Sequence, residues 1–495
     1  MDPQVPVLIG GGQVNQRDGD GDLDPVGLMT EALRRAAADA GVTDPSGLLA
    51  RADTIAAVNV ISWHYRDPAS LVAGLLGAAP ARTWYTTAAG SSPQALLSRA
   101  ALDISAGRAD LVLICGGEAW RTRMRLRKED RRPDWTVQPE DVAPDWTLGE
   151  GFPPMVHDDE ARRGVMMPVQ VYPLFESALR ATAGRTQEEH LVHVSELWAG
   201  FSAVASTNPD AWIQRAHTAE EIRTFGPDNR LVGWPYPKLM NSNSAVEQGA
   251  AVILCSAERA EALGVPRDRW VFPWAGADAH DTPYVSNRPT LAGSPAIREA
   301  GRTTFRLAGI DADDLAHVDL YSCFPSAVQA AAAELGLGSD RPLTVTGGLS
   351  FAGGPWNNYV GHSLATMQRV LREEPGSIGL VTANGGFLTK HALGLYSTEP
   401  PRSGSFRWES AQEATEAAGS VELSADWQGP VTVEAATVMH DRDGAPEHGI
   451  LLTRTEDDRR AWGTTTDADA MKLIVAEEPV GRPGSVGPEG RFDFS

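Results

Sequence analysis

The sequence predicts an α/β protein of two similar halves, each with a largely parallel sheet covered by helices on both faces, followed by a smaller β-rich domain. Short apolar runs alternate with helical segments along the first 399 residues, which favours parallel strands between helical layers. A succession of helix, strand and Gly-Gly occurs twice, which indicates a duplication. After residue 399, short runs rich in β-forming residues replace the alternation.

Composition excludes several classes of protein. The net charge of -22 argues against nucleic acid and anionic membrane surfaces as partners. No apolar run is long enough to span a bilayer, and no basic region precedes the first apolar residues, so we expect a cytoplasmic protein without membrane insertion. Three cysteines cannot form a disulfide framework, and no Cys/His spacing indicates a metal site. No P-loop or dinucleotide fingerprint is present.

The first half begins with alternating strands and helices. The predicted elements are a strand at Val5–Ile9, a helix at Pro25–Ala40, a strand at Ile55–Ile61, a helix at Pro68–Leu76 and a strand at Thr83–Tyr85.

A loop of small residues, Thr86 to Ser92, follows these elements. It leads into a helix at Pro93–Ser105 and a buried strand at Leu111–Cys115, which we expect to end at Gly116-Gly117. Free N–H groups and the helix dipole favour a nucleophile or a bound anion at such a helix start.

Residues 122–234 differ from the flanking α/β pattern. They are richer in Trp, Pro and charge, and they contain two predicted helices, Val169–Ala183 and Gln187–Ser206, with no clear strand before their end. We interpret them as an inserted loop domain at the carboxyl end of a strand, where substrate-covering segments belong. A basic run, Arg121 to Arg132, opens the insertion.

The second half repeats the pattern of the first. Before it, the first half closes with a predicted strand at Val246–Ser256 and a predicted helix at Glu258–Leu263. The predicted elements of the second half are a helix within Pro289–Ala308, a strand at Val318–Tyr321, a helix at Pro325–Leu335, a glycine-rich segment at Val345–Asn358, a helix at His362–Arg372 and a strand at Ile378–Thr382.

The C-terminal region follows the linker-like stretch EPPRSGS and fits a small β-barrel or split β-sheet. Its predicted elements are strands at Val431–Met439, Ile450–Thr453 and Ala461–Thr465, a turn at His440–Glu447 and a helix at Ala468–Glu477. The predicted division of the chain is therefore 1–121 and 235–265 for the first half, 122–234 for the insertion, 266–399 for the second half and 400–495 for the C-terminal domain.

Five segments carry a resemblance to the thiolase superfamily. They are Ala89-Gly90-Ser91-Ser92-Pro93-Gln94-Ala95, Ser242–Leu254, Asp319–Val328, Gly347–Pro355 and Thr382–Phe387. Together with the added C-terminal domain, they resemble thiolase-like proteins of type 1, often labelled acetyl-CoA acetyltransferases. The resemblance implies a duplicated five-layer core (α-β-α-β-α) with an inserted loop domain and a C-terminal β-rich domain.

Three reactive positions of the family are absent from this sequence. Ala89 stands where the family has its acyl-accepting Cys, Gly354 where it has the His of Gly-His-Pro, and Ala383 where it has the Cys of Cys-x-Gly. Each lost group costs about a hundredfold or more in rate, so ordinary thiolytic or Claisen chemistry is not expected.

The resemblance leaves a few candidate catalytic residues. Cys323 matches the acid/base Cys of the sterol-carrier type of thiolase, and Tyr321 stands where the family has a hydrogen-bond donor. His391 or His362 would supply the imidazole missing at Gly354. Ser91 and Ser92, just before Pro93, are interpreted as helix-capping residues rather than as replacement nucleophiles.

The expected ligand is coenzyme A or an acyl-CoA. Ser244 matches a Ser that contacts coenzyme A in the family, Asn241 and Lys238 lie on the same loop, and Arg123 in the basic run would meet phosphate. No permanently bound cofactor is expected. We expect a monomer or homodimer, with the C-terminal domain as the place where a partner protein would bind.

The resulting hypothesis is an acyl-CoA binding protein of the acyltransferase class with altered or vestigial catalysis. Two alternatives stay open. One is a retro-aldol carbon–carbon lyase acting on acyl-CoA, because some thiolase relatives use a Tyr at the position of Tyr321. The other is a non-enzymatic scaffold that binds coenzyme A.

Overall fold

The strands of the protein form three sheets in a computed structural model that describes residues 2–17, 23–78, 81–338 and 341–495. In chain order they are β1 (Pro6–Asn15), β2 (Thr54–Ala57), β3 (Arg82–Thr86), β4 (Leu111–Ala119), β5 (Trp146–Leu148), β6 (Leu231–Gly233), β7 (Tyr236–Pro237), β8 (Glu247–Ser256), β9 (Phe272–His280), β10 (His317–Asp319), β11 (Ile378–Gly385), β12 (Lys390–Ser397), β13 (Arg407–Ser410), β14 (Gly429–His440), β15 (Pro446–Thr455), β16 (Arg460–Thr465), β17 (Pro483–Val486) and β18 (Phe492–Phe494).

Helices pack on both faces of two of these sheets. In chain order they are α1 (Pro25–Asp39), α2 (Pro45–Ala50), α3 (Pro68–Leu76), α4 (Ser92–Ser105), α5 (Trp120–Lys128), α6 (Asp158–Arg162), α7 (Pro168–Thr182), α8 (Gln187–Thr207), α9 (Ala219–Arg223), α10 (Ala257–Ala262), α11 (Pro295–Ala308), α12 (Pro325–Glu334), α13 (Gly348–Phe351), α14 (Tyr359–Glu373), α15 (Gln412–Glu416) and α16 (Ala468–Ala476).

A repeated two-residue start explains where several helices begin. Asp24, Asp44, Asp67 and Ser294 each accept a hydrogen bond from a backbone N–H of the first turn of α1, α2, α3 and α11, and each is followed by proline. Proline fits the first helical position because its φ is already helical and its missing N–H would lack a partner there. The sequence predicted helices at the places of α1, α3 and α11, whereas α2 was not predicted.

The first sheet has the strand order β1-β8-β4-β2-β3-β5. β8 runs antiparallel to both β1 and β4, whereas β4, β2, β3 and β5 are parallel to one another. The second sheet has the order β10-β11-β12-β9-β13, with antiparallel pairs on both sides of β12.

Two helices lie between these sheets. α4 contacts β4 and β8 of the first sheet and β11 and β12 of the second, and α14 contacts β1 and β8 as well as β11. α1 covers the outer face of the first sheet, and α11 covers that of the second. The order of layers is therefore α-β-α-β-α, with the apolar core continuous through all five.

The third sheet combines the C-terminal region with the insertion. Its strands follow the order β16-β15-β14-β17-β18, and β6 of the insertion pairs with β14 and with β7. α7 of the insertion packs against β14.

Several strands differ from the expectations. Both core sheets are mixed: in the first, β8 runs antiparallel to β1 and β4, and in the second, a tight turn joins β11 to β12 and permits only antiparallel pairing. β4 does not end at Gly116-Gly117 but continues to Ala119, paired with β8. The insertion does contain an early strand, β5, and β9, β12 and β13 were absent from the predicted elements.

Candidate functional site

The loop before α4 meets the end of β11. The Ala89 side chain is 7% exposed, and a Cβ atom placed on Gly385 would lie 3.0 Å from the Ala89 methyl group and 3.1 Å from Ser91 Oγ. Position 89 is therefore a packed methyl group against a glycine of the opposite half. It offers no electron pair to an acyl group.

Tyr321 closes the other side of this loop. A Cβ atom on Gly90 would overlap both the Tyr321 hydroxyl and the Asn384 carbonyl oxygen, so only glycine fits there. None of the described residues forms a hydrogen bond with the Tyr321 hydroxyl, although the backbone N–H of Tyr321 donates to Thr382 Oγ1 at 2.9 Å. Burial raises the pKa of Tyr321, so the hydroxyl keeps its proton and is a hydrogen-bond donor.

Cys323 lies two residues beyond Tyr321, at the turn into α12. Its Sγ is 3.8 Å from Asn384 Nδ2. Burial raises the pKa of Cys323 to about 12. The group at this position is therefore a neutral thiol at physiological pH. A nucleophile or a base would need the thiolate instead.

His391 lies on β12, behind Tyr321. It shares a narrow cavity of about 10 Å³ with Tyr321 and Ala383. Its Nε2 is 3.4 Å from Ser294 Oγ and 3.8 Å from Asp281 Oδ2. Burial lowers the pKa of His391 to about 4, so the imidazole is neutral at pH 7.

The loop of residues 242–244 lies beside Cys323 and the glycine-rich segment. Ser242 Oγ donates to the Cys323 carbonyl at 2.9 Å, and the N–H of Gly354 donates to the Asn243 carbonyl at 2.9 Å. Ser244, the predicted coenzyme A contact, directly follows Asn243, whose carbonyl accepts this bond from Gly354. The structure brings Tyr321, Cys323, Gly354 and this loop together.

The other predicted ligand contacts have different surroundings. Asn241 Nδ2 donates to the Pro237 carbonyl at 2.7 Å, so the side chain closes a 3-10 turn. Lys238 is exposed at the start of that turn. Arg123 lies on α5, half-buried, with its guanidinium 5.7 Å from the centre of the Trp63 ring.

Ser91 and Ser92 do not cap α4 with their side chains, which corrects the expectation. Ser91 occupies the residue before the helix but makes no side-chain bond to it, and Ser92 Oγ donates to the Thr87 carbonyl at 3.4 Å. Ser91 already has helical angles (φ -77°, ψ -13°), whereas a capping residue is extended, so its hydroxyl is directed elsewhere.

The start of α14 forms a second polar region. A Cβ atom on Gly116 would overlap the Asn358 side chain. Both carboxamide atoms of Asn358 are buried and have no hydrogen-bond partner among the described residues, and the same holds for His362 Nε2. His362 Nδ1 lies 2.7 Å from Gln13 Oε1, and burial lowers the pKa of His362 to about 3.

Two residues at the site were not singled out from the sequence. Tyr172 reaches Asn384 from the insertion, more than two hundred residues earlier in the chain, and no periodic pattern indicated this. Asn384 had a signal, because it is a polar residue at the buried end of an apolar strand, just before Gly385-Gly386. No cluster of three or more metal-ligating side chains occurs among the residues placed by the structure.

Two buried helices between two mixed sheets, with a loop–helix junction of each half facing the other half, define a protein of the thiolase fold. A solved structure of a monomeric SCP2-thiolase like protein type 1 from Mycobacterium smegmatis is 33% identical over 100% of both chains, with a TM-score of 0.85. The model of the thiolase-like protein type 1 additional C-terminal domain matches residues 411–491. This chain belongs to the SCP2-thiolase-like proteins of type 1, and the predicted fold is confirmed.

More distant relatives share parts of this architecture. An acetyl-CoA acetyltransferase of Methanothermobacter thermautotrophicus is 26% identical over 213 residues, which are 40% of this chain and 52% of that protein. The chain thus matches about half the length of this curated relative. A solved structure of an Ltp2-ChsH2(DUF35) aldolase is 19% identical in sequence and covers 81% of this chain and 100% of its own. With a TM-score of 0.59, it shares the fold. None of the helices in the described ranges is both long and apolar enough to cross a membrane.

Proposed function

We propose that this protein binds acyl-CoA thioesters beside Ala89, Tyr321 and Asn384 without forming an acyl-enzyme at position 89. The observation that carries the proposal is the Tyr321 hydroxyl, a protonated donor without a bonding partner among the described residues, next to a methyl group in place of the nucleophile. A thioester carbonyl is the acceptor that such a donor fits.

The proposed path of the coenzyme follows the loop of residues 242–244. Ser242 fixes this loop to the backbone of Cys323, so Ser244 would contact the pantetheine arm close to the thioester. Lys238 is exposed on the same loop, and Arg123 lies on the basic helix α5. These cations would bind phosphate on an otherwise acidic protein.

The chemistry available to a bound thioester is limited. Cys323 is a neutral thiol and His391 a neutral imidazole enclosed by Ser294 and Asp281, so neither matches a base poised for Claisen condensation. We therefore propose binding with altered catalysis rather than acyl transfer.

A thermal-shift series with acyl-CoA esters of increasing chain length tests binding. Ligands that bind only the folded protein raise its melting temperature, by an amount that grows with the logarithm of their concentration. We expect a rise with acyl-CoA and a smaller one with free coenzyme A. No rise with any ester would contradict the proposal.

Intact-mass measurement after incubation with acetyl-CoA tests the absence of an acyl-enzyme. We expect no acetyl adduct on the wild type and a single adduct on Ala89→Cys, because a thiol at a helix start is activated by the dipole. An adduct on Ser91 or Cys323 of the wild type would overturn this part of the proposal.

A second candidate function is a retro-aldol lyase acting on 3-hydroxyacyl-CoA. The same unpartnered Tyr321 hydroxyl supports it, because a phenol can hydrogen-bond the oxygen on which charge develops during carbon–carbon cleavage. The aldolase named above shares the fold, but its sequence identity is too low to support a shared reaction. Release of an aldehyde or ketone by the wild type, about a hundredfold slower in Tyr321→Phe and unchanged in Tyr65→Phe, would favour this function.

A further inference from the structure

The turn that joins β11 to β12 begins directly after Asn384 and Gly385, which both line the candidate site. It comprises residues 386–389, and Leu388 within it has a φ of 56°. This is the left-handed region, which residues other than glycine rarely adopt. Such a backbone conformation persists only where the surrounding structure holds it.

Arg288 holds this turn from within the second half. Its Nη2 donates to the Phe387 carbonyl at 2.9 Å and to Thr389 Oγ1 at 3.0 Å. Its Nε donates to the Thr282 carbonyl at 3.2 Å, and its Nη1 lies 3.4 Å from Asp281 Oδ2. The Arg288 side chain is 1% exposed. A buried guanidinium is stable only where acceptors surround it, so these bonds fix both the side chain and the turn.

The segment that carries Arg288 is held in turn by the C-terminal domain. Arg460, at the start of β16, donates through Nη1 to the carbonyl of Ser286, at 3.3 Å, and to that of Arg288. The indole N–H of Trp462, also on β16, donates to Ser286 Oγ at 2.9 Å. Arg460 and Trp462 are each 1% exposed, so this contact between the domains lies in the interior.

A carboxylate of the C-terminal domain binds Arg460. Glu434 Oε2 accepts from Arg460 Nε at 2.6 Å, while Glu434 Oε1 accepts from Arg454 Nη2 at 2.6 Å. Arg454 also donates to the Asp458 carbonyl at 3.2 Å, whereas Arg460 donates to the segment that carries Arg288. The two arginines therefore share one ion-pair partner and differ in the backbone that they hold.

These contacts form a continuous path from the C-terminal domain to the candidate site. The path leads from Glu434 through Arg460 to residues 286–288, and from Arg288 to the turn after Asn384. We propose that Arg460 and Arg288 are positioning residues, through which the C-terminal domain holds this turn in the shape that binds acyl-CoA. The proposal rests on the proposed function for the ligand, and it makes the C-terminal domain a component of the site.

Hydrogen–deuterium exchange tests this link without any ligand. The N–H groups of Leu388 and Thr389 are hydrogen-bonded, which protects the turn from exchange. Because Arg460→Met removes the bonds that hold the segment of Arg288, we expect the amides of the turn to exchange about tenfold faster than in the wild type. Mass spectrometry of the peptide that covers residues 385–390 measures this rate.

Arg454→Met is the matched control, because it removes an arginine from Glu434 but none of the bonds to residues 286–288. It should leave exchange of the turn unchanged, and peptides of β4 and β8 should exchange at the wild-type rate in both variants. A general loss of stability would raise exchange in every peptide alike. That result, an equal rise in both variants, or an unchanged turn in Arg460→Met would overturn the proposal.

A second variant covers the case in which Arg460→Met does not fold. Arg460→Lys keeps the positive charge beside Glu434 but loses the planar fork of donors. It should also speed exchange of the turn, and exchange at the wild-type rate would count against the proposal.

The affinity for acyl-CoA is measured separately on the same variants. We expect the Kd to rise about fivefold in Arg460→Met and to stay unchanged in Arg454→Met. Equal affinities in all three proteins would overturn the positioning role, even where the turn exchanges faster. A wild type that binds no acyl-CoA ester would overturn the proposed function instead, and the exchange rates would still decide whether the C-terminal domain holds the turn.

Discussion

The starts of α4 and α14 occupy equivalent places in the two halves, but one presents an apolar side chain and the other a polar one. Each lies between the sheets and packs against a glycine of a strand from the other half, Gly385 for α4 and Gly116 for α14. α4 presents the methyl group of Ala89 there, whereas α14 presents the carboxamide of Asn358, with neither polar atom bonded to another described residue.

The difference separates what the fold requires from what chemistry requires. Both junctions place a glycine against a side chain of the other half, because a Cβ atom would lie 3.0 Å from the Ala89 methyl group at Gly385 and would overlap the Asn358 carboxamide at Gly116. The polarity of that side chain is free to vary, since a methyl group packs as well as a reactive one. The thiolase fold therefore does not by itself fix the chemistry of the side chain at such a junction.

The largest expected effect concerns the two buried imidazoles, one in each half. Burial lowers the pKa of His391 to about 4 and that of His362 to about 3, from about 6.5 in the unfolded chain. Both are neutral in the folded state, so their contribution to stability is complete above pH 6.5 and is lost as the pH falls toward 4. Each contributes about 2 kcal/mol of this loss between pH 7 and 5.

Urea unfolding of His391→Gln, His362→Gln and the wild type at pH 7 and 5 measures this contribution. Each variant should lose about 2 kcal/mol less than the wild type on acidification. Glu118 works in the opposite direction, because burial raises its pKa to about 7, but it is common to all three proteins and cancels in the difference. Equal losses in all three would refute the assignment of neutral imidazoles.

Adding a methyl group to each glycine compares the two junctions directly. Gly116→Ala should cost about 2 kcal/mol, because its Cβ would overlap the Asn358 carboxamide, and Gly385→Ala about 1 kcal/mol, because its neighbours are 3.0 Å away. Gly74→Ala, in α3 with open space around it, is the control and should stabilise slightly. Denaturation midpoints would reveal the order, and Asn358→Ala should rescue Gly116→Ala alone.

The smallest expected effect concerns the residue before α4. Ser91→Ala should change the unfolding free energy by no more than about 0.5 kcal/mol, because Ser91 makes no capping bond. Ser256→Ala is the comparison and should cost more than about 1 kcal/mol, since Ser256 caps α10 through the N–H of Arg259 at 3.0 Å and its hydroxyl also donates to Asp110 Oδ1 at 2.6 Å. A loss at Ser91 as large as that at Ser256 would restore the capping interpretation.

Local signals explain which parts of the fold were predictable. The helices predicted at Pro25–Ala40, at Pro68–Leu76 and within Pro289–Ala308 correspond to α1, α3 and α11, and the apolar runs located β8 and β11 to within a few residues. β5 has only three residues, and it exists because the edge of β3 is available for pairing. Such a strand depends on tertiary context, so the sequence of Trp146–Leu148 contains no pattern that predicts a strand.

The site divides in the same way. The segments around Ala89, Tyr321 and Cys323 were recognisable, because they are short and contiguous in sequence. Tyr172 was not recognisable, because it is brought to the site only by the contact between a helix of the insertion and the turn after Cys323. The roles of Ser244, Lys238, Asn241 and Arg123 in ligand binding stay predictions, as do the boundaries of the domains.

The third sheet has a consequence for dissecting this protein. The C-terminal family model begins at residue 411, but β14 also pairs with β6 of the insertion, and β6 pairs with β7 just after the insertion. Cutting the chain near residue 411 would leave an unpaired sheet edge on each fragment, which invites aggregation. The segment matched by the family model is therefore not expected to be a suitable fragment for separate expression. Shortened versions of this protein should keep all strands of the third sheet in one fragment.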